Sequence, residues 1–183
     1  MLQGLLFTSP FIQNNSYFEQ NLVNSIPTLR AWPEVAQYIT QELYPPVFDG
    51  SQAQGYTNQI ARAAALTSEF VFTCNTYYLN KAYNNNTYAY YFTVPPALHG
   101  QDIAYTYYNG PSEAVLNDQI AIALQEYITS FAETGNPNQP GVPYFPIYGQ
   151  NATVQDLSLT GLDQVRDPTA NERCEWWQKA LYV

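Results

Sequence analysis

The sequence predicts an α/β fold, rich in helix and sparing in strand, on three observations. Residues 87–94 (Thr-Tyr-Ala-Tyr-Tyr-Phe-Thr-Val) are aromatic and β-branched, and Pro95-Pro96 ends them, as a strand requires. Residues 117–133 carry Ile120, Ala123, Leu124, Tyr127, Ile128 and Phe131 at helical spacing. Shorter helical patterns lie on either side of these two. With 183 residues the chain has the length of one domain and can bury a core.

Taken in order, residues 18–26 and 35–43 read as short helices, with Pro33 near the start of the second and Pro45-Pro46 stopping it. The Ala-rich run 58–66 is a short helix. Residues 67–83 form a longer one that carries Phe70, Phe72, Cys74, Tyr77, Tyr78 and Ala82, and Asn84-Asn85-Asn86 breaks it. After the strand at 87–94, Gly110 to Ala114 reads as a turn leading into the helix at 117–133. Thr134-Gly135-Asn136-Pro137-Asn138 terminates that helix. Residues 140–149, rich in Pro, Gly and aromatics, cover surface without regular structure. A helix over 171–181 carries Cys174, Trp176 and Trp177.

Composition excludes several classes. Hydrophobic residues make up 46% of the chain but charged ones only 11%, less than half the usual share. Polarity comes instead from Asn, Gln, Ser, Thr and 17 tyrosines, a profile that leans extracellular. A net charge of −9 with six Lys and Arg argues against nucleic acid as a partner. No run approaches the ~20 apolar residues needed to span a bilayer. Residues 1–7 are too short and lack the basic start of a signal peptide, so the literal reading keeps the chain in the cytosol. Three Asn-x-Ser/Thr sequons, at Asn14, Asn85 and Asn151, point instead to a glycosylated, secreted protein. Cys74 and Cys174 are too few for a zinc site, and one histidine cannot complete a ligand set, so no metal is expected. On the residues alone they are either two buried thiols or one disulfide closing a loop of roughly 100 residues.

His99 is the chain's only histidine, in Pro96-Ala97-Leu98-His99-Gly100-Gln101-Asp102-Ile103. A lone histidine is often a buried hydrogen-bonding group. This one comes directly after a strand, where reactive groups of α/β proteins gather on the loops past strand C-termini. Gly100 allows close backbone approach, and Asp102 can hold part of the loop. Both readings stand at this point.

The stretch 95–105 resembles the histidine loop of the type-B carboxylesterase and lipase family, the cholinesterase-like α/β-hydrolases. The likeness continues through Gln125-Glu126-Tyr127, residues 131–138, Phe145-Pro146-Ile147-Tyr148-Gly149 and Arg173-Cys174-Glu175-Trp176-Trp177. Gly4-Leu5-Leu6-Phe7-Thr8 is similar to the segment just after the family's catalytic acid. The resemblance covers essentially the whole chain in order and is close to secreted fungal members. It implies the C-terminal part of an α/β-hydrolase fold, helix-rich and incomplete: residues 1–183 as a single partial domain with the last strands of the sheet and their packing helices. It also implies hydrolysis of an ester or lipid substrate without a cofactor, His99 as general base, and a Cys74–Cys174 disulfide.

Two departures weigh against activity. The family's acidic residue falls on Gln3, and a neutral amide cannot stabilise an imidazolium; the analogous change in a serine protease costs about 10⁴ in turnover. No serine sits on a Gly-x-Ser-x-Gly turn, and no Gly-Gly oxyanion motif occurs. Gly110-Pro111-Ser112-Glu113-Ala114 comes after His99, whereas the fold's chain order places serine first. The expectation is therefore a fragment that lacks the N-terminal nucleophile half and is inactive alone. The alternatives are a non-catalytic binding module, or half of a split esterase completed by another chain.

Overall fold

The computed structural model describes residues 3–49 and 55–181. In chain order the helices are α1 (Asn15–Ser25), α2 (Pro33–Tyr38), α3 (Gln59–Thr67), α4 (Cys74–Ala82), α5 (Ile103–Thr106), α6 (Asp118–Thr134) and α7 (Glu172–Gln178). The strands are β1 (Tyr90–Phe92), β2 (Thr153–Ser158) and β3 (Gly161–Arg166). Many helix starts are written in asparagine. Asn14, Asn58, Asn117 and Asn171 each stand in extended backbone and accept a hydrogen bond from the amide of Tyr17, Ala61, Gln119 or Cys174. Each thereby satisfies a donor that the first helical turn cannot.

The chain divides into two compact units, one formed by Leu79–Ala170 and the other by the two chain ends, up to Tyr78 and from Asn171 on. In the terminal unit a π-helical turn over Ile39–Leu43 continues α2, completing the helix expected over 35–43, and another over Ser68–Thr73 joins α3 to α4, so the two helices expected over 58–66 and 67–83 run on without a break. The amide of Tyr44 donating to the Ile39 carbonyl at 2.9 Å is the five-residue step that defines such a turn. Phe18, Leu22, Leu29, Ile39, Ala63, Leu66 and Trp177 are buried here. Arg62 is buried among them; it donates to the carbonyls of Thr40 and Tyr44 and to the side chains of Asn15 and Gln59. Its guanidinium also stacks 3.7 Å from the Phe18 ring centroid, and burial lowers its pKa to about 10.

The central unit is a three-stranded sheet in the order β1-β2-β3. β1 runs parallel to β2, with Tyr90 opposite Gln155 and Phe92 opposite Leu157. β2 and β3 form an antiparallel hairpin from Thr153↔Arg166 to Ser158↔Gly161. The parallel pair needs a crossover, and α5 and α6 lie along it. Phe92, Val94, Tyr105, Ile120, Ala121, Leu124 and Leu157 form one buried cluster joining α6 to the sheet. Ala123, Tyr127 and Phe145 form a second buried cluster, with the Tyr127 hydroxyl donating to the Pro143 carbonyl at 2.8 Å.

The strand expected over 87–94 is ladder only over Tyr90–Phe92, because among the described residues β1 pairs with β2 alone and the chain leaves it at Val94. The helix of 117–133 is α6, capped by Asn117 and closed by Gly135 at φ 75°. Residues 140–149 are irregular, as expected. The β2–β3 hairpin has no counterpart in the sequence expectation. Its strands carry Gln155, Asp156, Asp163 and Gln164, and Leu159-Thr160 is not a sequence signal for a tight turn.

Candidate functional site

His99 is exposed on the loop that leaves β1 at its C-terminal end. That loop is closed by its own side chains. Pro95-Pro96 is a cis peptide and Ala97 takes φ 55°, while its amide donates to the Val94 carbonyl at 2.8 Å. The Gln101 side chain then reaches back across the loop. Its Nε2 donates to the Pro95 carbonyl at 2.9 Å and its Oε1 accepts from the Leu98 amide at 3.2 Å. Gly100 has φ 81°, the left-handed region a glycine enters at no steric cost. From there the chain passes into α5, the Ile103 amide donating to the Gly100 carbonyl at 3.2 Å.

A second tie joins the far end of the loop to the strand it came from. Tyr90 on β1 donates its hydroxyl to Asp102 Oδ2 at 2.7 Å. Partial burial, then the hydrogen bond and charge of Asp102, push the Tyr90 phenol well above its ordinary value, so it remains a donor at any physiological pH. Asp102 therefore does anchor the loop. Below the loop, Phe92 and Val94 are fixed in the buried cluster, and Tyr105 packs edge-on to Phe92 at 4.9 Å. The arrangement offers an imidazole to solvent on a braced backbone, which suits proton transfer to and from a bound group.

Gln3 begins a 3₁₀ turn, Gln3–Phe7, in the terminal unit and is half-buried. Gly4 next to it is fixed by its amide donating to Ser68 Oγ at 2.6 Å. A Cβ at Gly4 would collide with the Ala64 carbonyl, so only glycine lets the turn lie this close to α3. Ser112 lies in a turn, its Oγ accepting from the Ala114 amide at 3.1 Å.

Cys74 and Cys174 are joined, with Cα atoms 5.1 Å apart, closing 100 residues of sequence and pinning α7 to the start of α4. Beside this bond lies a network that sequence reasoning missed. Glu69 receives Arg173 through both carboxylate oxygens at 2.7 Å, and Tyr44 donates to the same carboxylate at 2.5 Å. Trp177 Nε1 in turn donates to the Tyr44 hydroxyl at 2.9 Å. Burial opposes the charge on Arg173, but the bonds and charge of Glu69 outweigh it and raise its pKa; burial and then Glu69 hold the Tyr44 phenol far above its ordinary value. A carboxylate 104 positions before an arginine has no sequence signal. Gln101 carries none either, since a glutamine in a loop is usually solvated.

The three sequon asparagines stand in turns or at a helix start. Asn14 and Asn151 are exposed, whereas Asn85 is half-buried at φ 60°. Asn14 caps α1 through Oδ1. Among the described residues no group of three or more His, Cys, Asp or Glu is placed to hold a metal ion, and no helix is long and apolar enough to cross a membrane.

Known proteins are similar to this chain in sequence and in fold. The carboxylesterase family model matches residues 7–177. The chain is 43% identical over 141 residues to carboxylesterase patB of Aspergillus clavatus, covering 76% of this chain and 25% of that protein. It is 40% identical over 149 residues to carboxylesterase patB of Penicillium expansum, covering 81% and 26%. The chain thus spans about a quarter of the length of these curated relatives. Among solved structures, Aspergillus niger EstA matches with a TM-score of 0.74 at 16% identity, over 98% of this chain and 38% of that one.

Proposed function

The chain belongs to the carboxylesterase family, with part of an α/β-hydrolase fold, and from that premise we propose that it is the C-terminal portion of a carboxylic-ester hydrolase, inactive alone, in which His99 is the general base. The observation that carries the reading is the exposed imidazole on a loop past the C-terminal end of β1, braced at Pro95, Leu98 and Asp102. In the reaction, a serine hydroxyl outside these 183 residues attacks the ester carbonyl carbon and its proton passes to His99. The imidazolium returns that proton to the departing alcohol, leaving an acyl-serine; water then repeats the exchange and frees the acid. Gln3 cannot balance the imidazolium charge, so a carboxylate must come from elsewhere or turnover suffers by about 10⁴.

Secretion and glycosylation belong to the same proposal. A disulfide persists in an oxidising compartment, and Asn14 and Asn151 are exposed sequons. The test is hydrolysis of an aryl ester by the purified chain, alone and mixed with a separately expressed upstream portion bearing a Gly-x-Ser-x-Gly serine. No turnover alone, and turnover on mixing that His99→Ala abolishes, is the expected result. Turnover by the chain alone that His99→Ala removes overturns the incompleteness. Turnover on mixing that survives His99→Ala overturns the role of the histidine.

A further inference from the structure

The geometry points to Gln101 as the positioning residue for His99, a side-chain clamp that sets the direction from which the imidazole is presented; this rests on the reading of His99 as general base. Three observations carry it. Its amide is used at both ends within the loop: Nε2 donates to the Pro95 carbonyl at 2.9 Å and Oε1 accepts from the Leu98 amide at 3.2 Å. The second of these groups belongs to Leu98, the residue immediately before His99, so the clamp acts one peptide unit away from the bond that carries the histidine. Gln101's own amide also donates to the Leu98 carbonyl at 3.2 Å, so side chain and backbone of one residue grip both sides of Leu98.

The chemistry of the side chain is specific. A primary amide both donates and accepts, and the loop presents one acceptor and one donor to it. Glutamate would keep the Leu98 bond but turn its second oxygen against the Pro95 carbonyl. Leucine would fill similar space and make neither bond. The clamp sits on a half-exposed loop, so fold stability depends on it weakly, whereas loop order depends on it strongly. Tyr90–Asp102 ties the same loop to β1 at Asp102, four positions beyond Leu98. The two ties therefore act on different parts of the loop.

The test exploits the single histidine, whose ring gives one Hε1 resonance in the full 183-residue chain. Wild type, Gln101→Leu, Gln101→Glu and Tyr90→Phe are compared by NMR for that signal and by amide hydrogen exchange at Leu98. Gln101→Leu is expected to speed Leu98 exchange by about tenfold and to broaden or split the His99 signal, with the thermal midpoint nearly unchanged. Gln101→Glu keeps Leu98 protection and still perturbs His99, while Tyr90→Phe leaves Leu98 protected. An unchanged His99 signal and unchanged Leu98 exchange in Gln101→Leu overturn the proposal, and so does a global loss of protection equal at every amide. Where turnover is obtained by mixing with an upstream portion, Gln101→Leu lowers kcat and leaves KM in place. A disturbed His99 signal in a protein whose turnover ignores His99→Ala would instead condemn the general-base reading and leave the clamp standing.

Discussion

One methyl group is enough to upset the N-terminal turn. Gly4→Ala drives a Cβ into the Ala64 carbonyl and against Ser68, all of them backbone or buried atoms that cannot swing away. We expect a loss of about 1–3 kcal/mol, read from urea unfolding, with the slope of the transition unchanged. Glu69→Gln acts by charge. It removes the partner of Arg173, whose side chain is 21% exposed against 10% for Glu69, and leaves a mostly desolvated guanidinium. About 2–4 kcal/mol is expected in the same urea unfolding, reduced from the cost of breaking a fully buried pair because water reaches the arginine. Neither effect is legible in the sequence. Gly4 stands out there only for its likeness to a family pattern, and Glu69 only as one residue of a predicted helix.

At the scale of the element, caps and crosslinks carry the predictions. Asn117→Ala removes the bond to the Gln119 amide at the start of α6 and should cost about 1 kcal/mol in thermal unfolding. Replacing Cys74 and Cys174 together by serine releases a constraint across 100 residues, worth up to about 4.7 kcal/mol in the chain-entropy model. Reduction with dithiothreitol under denaturing conditions, followed by refolding, gives an independent check on that loss. The helices are legible because their periodic apolar positions and Asn caps are local. The hairpin of β2 and β3 is not, since Gln155 and Asp156 acquire a strand's role only from their neighbours across the ladder. β1 is shorter than its sequence suggests for the opposite reason: residues 87–94 all have strand character, but only the part with a partner becomes ladder.

Across the whole molecule the tyrosines set the alkaline limit. Tyr44, Tyr56, Tyr90, Tyr91 and Tyr127 all have phenols raised above 10, first of all by burial, and Tyr127 is pushed up to about 12. A raised pKa favours the protonated phenol in the folded state. The stability it contributes is whole below about pH 10 and is lost as pH climbs through the folded values. For Tyr127 that window is pH 10 to about 12. Ultraviolet difference titration should show the exposed share of the 17 tyrosines ionising first, and the buried Tyr44, Tyr56 and Tyr127 only as circular dichroism reports unfolding. Early, reversible ionisation of all of them would contradict their burial.

The sequence by itself determined the helix-rich α/β class, the family, the long helix and its C-terminal stop, and the loop on which His99 stands. These are written in local spacing and in motifs that survive without knowing what packs against what. Only the tertiary structure decided which part of 87–94 is ladder, brought together the Cys74–Cys174 pair that the family likeness implied, gathered Arg173 and Tyr44 on Glu69, and closed the histidine loop with Gln101 beside the Asp102 anchor that the sequence suggested. The physical reason is common to all four. A strand needs a neighbour, and a disulfide, a buried ion pair or a side-chain clamp needs two groups in one place; their partners are fixed by the fold as a whole, and no window of sequence contains that information.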